Sequence, residues 1–170
     1  MTQPSEVTLP NPELDGVDHI NVYSRGKTEL GRNLSNFAHM HFKHPTLGYF
    51  SSVEAFWYYI KTGCKHEHLR RLFGAFAKAS GEKLPIVEME KEEFHRLVRE
   101  AITCKIEQNT TLLDAVIHNE LPLKHYYVYG QGEKAVIREQ HQHYWQLEHI
   151  NAIALKWINL TNVSMRHPDE

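Results

Sequence analysis

Residues Lys91 to Gln108 constrain this chain more than any other stretch. Phe94, Leu97, Val98, Ala101 and Ile102 recur at three- and four-residue spacing, which gives an α-helix one apolar face. A helix of that kind is stable only against a core, so the rest of the chain must fold around it. Lys105 continues the stripe, four residues after Ala101 and seven after Val98. Two readings of it are open. The stem can pack while the ammonium reaches water at the helix C-terminus. Alternatively the amine is desolvated, held neutral and able to attack a carbonyl-like carbon.

A second helix is expected over Ser51–Thr62, with Ser51 as N-cap, Glu54 as its capping-box partner and Gly63 as the stop. Glu54 and Lys61 are seven residues apart, two turns along one face, with Trp57 and Tyr58 between them. Glu54 is either a cap partner or, in a partly dry pocket among rings, a carboxyl with a raised pKa suited to acid–base work.

The remaining pattern alternates short extended pieces and helices. Strands are expected at His19–Tyr23, around Met40 and Phe42, and at His125–Tyr129. Helices are expected over His66–Ala79 (closed by Gly81), over Thr110–Asn119 (capped by Asn109), and within Val136–Leu160. Between the first strands, residues 24–33 read as a loop in which Arg25, Lys27 and Arg32 flank two glycines. That loop could hold a phosphate, although it matches neither nucleotide-binding fingerprint. The expectation is an α+β, predominantly helical single domain over 18–160, with a flexible leader over 1–17 and a tail over 161–170.

Composition narrows the function classes. A net charge of -2 argues against strong non-specific binding to a nucleic-acid backbone. Cys64 and Cys104 fit a reducing compartment, and neither a signal pattern nor a membrane-length apolar run occurs. A soluble, cytoplasmic protein is expected. The 13 histidines include His39-x-His41, His66-x-His68 and His141-x-His143, but no HExxH or CxxC accompanies them, so no metal is expected.

Three stretches in order carry a family resemblance. Leu34-Ser35-Asn36-Phe37, then Ser52-Val53-Glu54 with Lys61 seven residues after the acid, then Ala101-Ile102-Thr103-Cys104-Lys105-Ile106-Glu107-Gln108-Asn109 resemble the boxes of the NADAR, or YbiA-like, family. The resemblance covers roughly residues 19–160. It implies a mostly helical α+β domain that cleaves N-glycosidic bonds of ribosides without a cofactor. The activity it implies first is removal of ADP-ribose from modified guanine, in a nucleotide or nucleic acid. The alternatives are cleavage of a ribosyl phosphate intermediate of riboflavin synthesis, or a module that holds ADP-ribose or a nucleotide without cutting it. Glu54 would be the acid–base residue and Lys105 the amine nucleophile, with Lys61 as the other lysine able to play that part. Asn36 would meet the sugar or orient the pocket, and Ser35, Phe37, Trp57, Tyr58, Tyr129 and Arg25 would contact substrate. One departure stands out. Where many members carry D-x-x-W-G, with the Asp and Trp in the pocket, this chain has Tyr126-Tyr127-Val128-Tyr129-Gly130.

Overall fold

The computed structural model of the chain describes residues 8–166. In chain order the elements are β1 (Ile20–Asn21), α1 (Glu29–Leu34), β2 (Phe42–His44), β3 (Gly48–Phe50), α2 (Val53–Lys61), α3 (Gly74–Glu82), α4 (Lys91–Glu107), α5 (Thr110–His118), β4 (Leu123–Lys124), β5 (Tyr126–Tyr129), β6 (Val136–Glu139) and α6 (Tyr144–Arg166). Among the described residues strands pair in twos: β1 with β4 in parallel, β2 with β3 and β5 with β6 antiparallel. The result is the expected helix-rich α+β domain.

The stripe of α4 does what its spacing requires. Leu97, Val98, Ala101, Ile102 and Ile106 are buried, and α2 lies against α4 on one side and α3 on another. Val53, Ala55, Phe56 and Ile60 of α2 are wholly inaccessible. The β2–β3 hairpin closes over them, with Phe50 edge-on to Phe56 at 5.0 Å and to Tyr59 at 5.1 Å.

Several local expectations are overturned, each for a physical reason. Residues 29–33 of the expected cationic loop, together with Leu34, form α1, started by the Thr28 side chain accepting from Gly31 N at 2.9 Å. Six residues are too few for a periodic signal. Gly31 is also where α1 meets β1, and a Cβ there would sit 2.2 Å from the Asn21 carbonyl oxygen. The single helix expected over 66–79 is two pieces, a 3-10 helix at Glu67–Arg71 and then α3. Leu72 and Phe73 between them are extended. Bonds to other parts of the chain hold them so: Leu72 O accepts from Ser52 Oγ at 2.8 Å, and Gly74 N donates to Phe37 O at 3.0 Å.

Gly81 does not end that helix. It sits inside α3, where the Tyr58 ring lies so close that a Cβ would be 2.1 Å from Tyr58 Cγ. Asn109 precedes α5 but caps nothing with its side chain; its Nδ2 donates instead to Lys105 O at 2.6 Å and His41 O at 3.2 Å. α6 continues as helix through the start of the expected tail, to Arg166. The folded unit also begins ahead of residue 18, because buried Asp15 accepts from Asn21 N at 2.9 Å and Lys27 N at 2.8 Å. Residues 1–7 of the expected leader and 167–170 of the tail lie outside the described residues. Among the described residues no helix is long and apolar enough to cross a membrane.

Candidate active site

The stretch after α1 assembles the site. Three successive carbonyls, of Ser35, Asn36 and Phe37, accept from Lys105 Nζ (2.8 Å), Glu54 N (2.9 Å) and Gly74 N (3.0 Å). One loop is thereby tied to α4, α2 and α3 at consecutive residues. It faces a cavity of about 520 Å³ whose other walls come from α2, α3, β5 and the first turns of α6.

The cap of α2 decides what Glu54 can do. The N-cap is Ser52, not Ser51: its Oγ accepts from Ala55 N at 3.0 Å. Glu54 is therefore the second helical residue, one position too early for a capping box. Its carboxyl has no hydrogen-bond partner among the described residues, and Glu54 lines the cavity. Burial raises its pKa from 4.5 to about 7, opposed by the charges of Lys78 and Lys61 and supported by that of Glu82. Both lysines line the same cavity, and among the described residues Glu54 is the sole carboxylate in the lining. Burial, with Glu54 and Glu82 nearby, pushes the Tyr58 phenol up to about 12, so it remains a neutral hydroxyl.

Lys105 is placed otherwise than the resemblance suggests. It is only 1% exposed, spends its amine on the Ser35 carbonyl, and is not among the cavity-lining residues. Burial does lower its pKa, to about 7, as the desolvated reading of the stripe expects. The amine thus sits behind the loop it supports, bonded to a residue that lines the cavity while not lining it itself. The other residues singled out in the sequence, namely Ser35, Asn36, Phe37, Trp57, Tyr58, Lys61, Tyr129 and Arg25, line the cavity with Glu54.

Strand alternation resolves the tyrosine departure. Tyr126 points into the core, fully buried, with its hydroxyl 2.6 Å from His19 Nε2. It therefore does not replace a pocket carboxylate with a pocket phenol. Tyr127 and Tyr129 line the cavity, joined by Tyr23, whose ring is 5.3 Å from that of Tyr127. Of the three loop cations, Arg32 donates to the carbonyls of Gly26 and Lys27, and Lys27 pairs with Glu13. Arg25 alone of the three reaches the cavity, exposed and without a partner among the described residues.

Sequence reasoning missed Lys78, His125, His143 and Gln146, which line the cavity as well. His125 was within reach of period-two alternation, which sets it on the face of Tyr127 and Tyr129. Its Nδ1 donates to Val22 O at 2.6 Å, and burial holds its pKa down at about 4. Gln146 and His143 carry no local signal. Among the described residues no group of three or more His, Cys, Asp or Glu is arranged to hold a metal.

No protein-family model matches the sequence, and no curated protein matches it at a significant level. Comparison with solved structures gives a positive result. The fold is similar to that of the E. coli protein YbiA. The NMR structure of YbiA superposes with a TM-score of 0.60 over 90% of each chain, at 18% sequence identity. The likeness to YbiA is therefore one of fold, a mostly helical α+β arrangement shared almost end to end.

Proposed function

We propose that the protein is an N-glycosidase that hydrolyses an N-ribosyl linkage, in the first instance one joining ADP-ribose to guanine. The observation that carries this reading is Glu54, a lone unpartnered carboxyl whose pKa of about 7 lets it give and take a proton near neutrality. Breaking a C1–N bond leaves oxocarbenium character on the sugar and negative charge on the departing nitrogen. Protonated Glu54 gives its proton to that nitrogen. Water then adds its hydroxyl to C1, and its remaining proton returns to Glu54. The balance is riboside plus water to free sugar plus base. Arg25, Lys61 and Lys78 offer cations for a substrate's phosphates, and Trp57, Tyr58 and Tyr127 offer ring faces for its base.

The test is release of free ADP-ribose from ADP-ribosylated guanine nucleotides and oligonucleotides, with ribosyl phosphate substrates of the riboflavin route in parallel. Release by wild type and its loss in Glu54→Gln support the reading. A Glu54→Gln chain as active as wild type sinks it. A second reading, a pocket that holds the nucleotide uncut, is favoured by the lack of a second carboxylate in the lining among the described residues. Calorimetric binding of ADP-ribose without turnover of any riboside would select it.

A further inference from the structure

The cavity wall is divided by chemistry. α2 and α3 bring Glu54, Lys61 and Lys78 to it, whereas the loop after α1 brings Asn36 and α6 brings Gln146. These last two are neutral, and they are bonded to each other: Asn36 Nδ2 donates to Gln146 Oε1 at 2.9 Å. Each side-chain amide has one carbonyl and one NH₂ group. The mutual bond engages one of each. Asn36 Oδ1 and Gln146 Nε2 are left over, and neither has a partner among the described residues. Turning both amides over exchanges the two roles but again leaves one acceptor and one donor, so the pattern does not depend on how oxygen and nitrogen are assigned.

The pair is held on both sides. Gln146 is 8% exposed, and the backbone carbonyl of Asn36 is fixed by Glu54 N at the start of α2. Two amides locked together cannot turn singly to suit a ligand. They match a group that itself carries an adjacent donor and acceptor in fixed geometry. Trp57 and Tyr127 add flat walls to the same cavity, which suits a planar ring. A sugar diol would not need a locked pair, because hydroxyls rotate to meet whatever they face.

We infer that Asn36 and Gln146 form a donor–acceptor clamp that reads the edge of a heterocyclic base, one amide accepting its N–H and the other donating to its adjacent acceptor atom. The inference rests on the riboside reading of the cavity. To that reading it adds the group recognised, and it makes Gln146 a specificity-determining residue.

Inosine and 1-methylinosine test it, because the methyl group removes the ring N–H and leaves the carbonyl. Calorimetry on the full chain is expected to show inosine bound at least about ten-fold more tightly than 1-methylinosine. Gln146→Glu keeps an acceptor for Asn36 but offers no donor to the base carbonyl, and is expected to lose about ten-fold in affinity for both nucleosides while Asn36 Oδ1 keeps the preference for inosine. Gln146→Met, which offers neither group, is expected to behave alike and serves if the Glu variant does not fold. Equal binding of the two nucleosides by wild type, absence of inosine binding, or undiminished inosine affinity in a folded Gln146 variant overturns the clamp. Release of ADP-ribose without base-edge discrimination overturns the clamp alone. Discrimination without turnover of any riboside overturns the glycosidase reading and leaves the clamp standing.

Discussion

Glu54 and Lys105 are two buried ionisable groups that burial brings to the same pKa of about 7 from opposite directions. They sit on either side of one loop. Glu54 opens on the cavity with no partner, and Lys105 is closed beneath the floor, bonded to Ser35 O. The contrast separates two things that a shifted pKa can signify. A shift marks desolvation, and desolvation occurs both in an active site and in the core under it. Access to a ligand distinguishes the two cases. On the proposed reading the unspent carboxyl is the chemical group and the spent amine is part of the frame.

The sharpest way to break this contrast is to neutralise each group in turn. Glu54→Gln is expected to lower the rate of ADP-ribose release by about 10²–10⁴-fold, the usual contribution of a positioned acid–base group. It should at the same time raise stability in alkaline buffer. Folded Glu54 keeps a proton that the unfolded chain has lost between pH 4.5 and about 7, so its contribution to stability falls as pH rises through that window. Denaturant melts at pH 4 and pH 8 check this: no gain at the lower pH, and a gain on the order of 2–3 kcal/mol at the higher.

Lys105→Met should do the reverse. Activity is expected to stay within about ten-fold of wild type, because the amine does not reach the cavity. Folded Lys105 holds fewer protons than the unfolded chain between pH 7 and 10.5, so wild-type stability rises with pH there. Met removes that slope. The net gain at pH 7 is expected to be about 3 kcal/mol, after losing a hydrogen bond worth about 1 kcal/mol. Loss of activity greater than 10²-fold in a folded Lys105→Met chain would return the amine to the chemistry.

Gly81→Ala tests the Glu54 side from behind. A methyl there collides with the Tyr58 ring and is expected to cost about 1–3 kcal/mol in a denaturant titration, while weakening ligand binding through the displaced phenol. The smallest expected effect is at β5. Tyr126→Phe loses the His19 bond, about 1 kcal/mol of stability, with ligand affinity unchanged in calorimetry. Tyr127→Phe should leave stability alone, and a comparison of the two shows which face of the strand meets the ligand.

Much of this was legible in advance because it rests on periodicity. The α4 stripe, the α2 helix and the extended run at Tyr126–Tyr129 follow from apolar spacing, and Lys105 stood out as a cation on a buried face. The same spacing said that Lys105 would be desolvated and could not say which side of a loop its amine would reach. What escaped was set by contacts distant in sequence. The break at Leu72–Phe73 comes from Ser52 and Phe37, and the interior Gly81 from Tyr58. Gln146 gains its place from Asn36, 110 residues earlier. The one-residue error in the α2 cap was small in position and large in meaning, since it turned Glu54 from a cap partner into an open carboxyl.

The three carbonyls of Ser35, Asn36 and Phe37 bear on how the cavity comes into being. Their donors belong to α4, α2 and α3, so the floor has its final shape only when all three helices have docked. A form that has lost one of them keeps no partial cavity. The amides of Glu54 and Gly74, both bonded to this loop, should therefore exchange their hydrogens only when the whole domain opens. The cavity would then be either complete or absent, with no half-built form between.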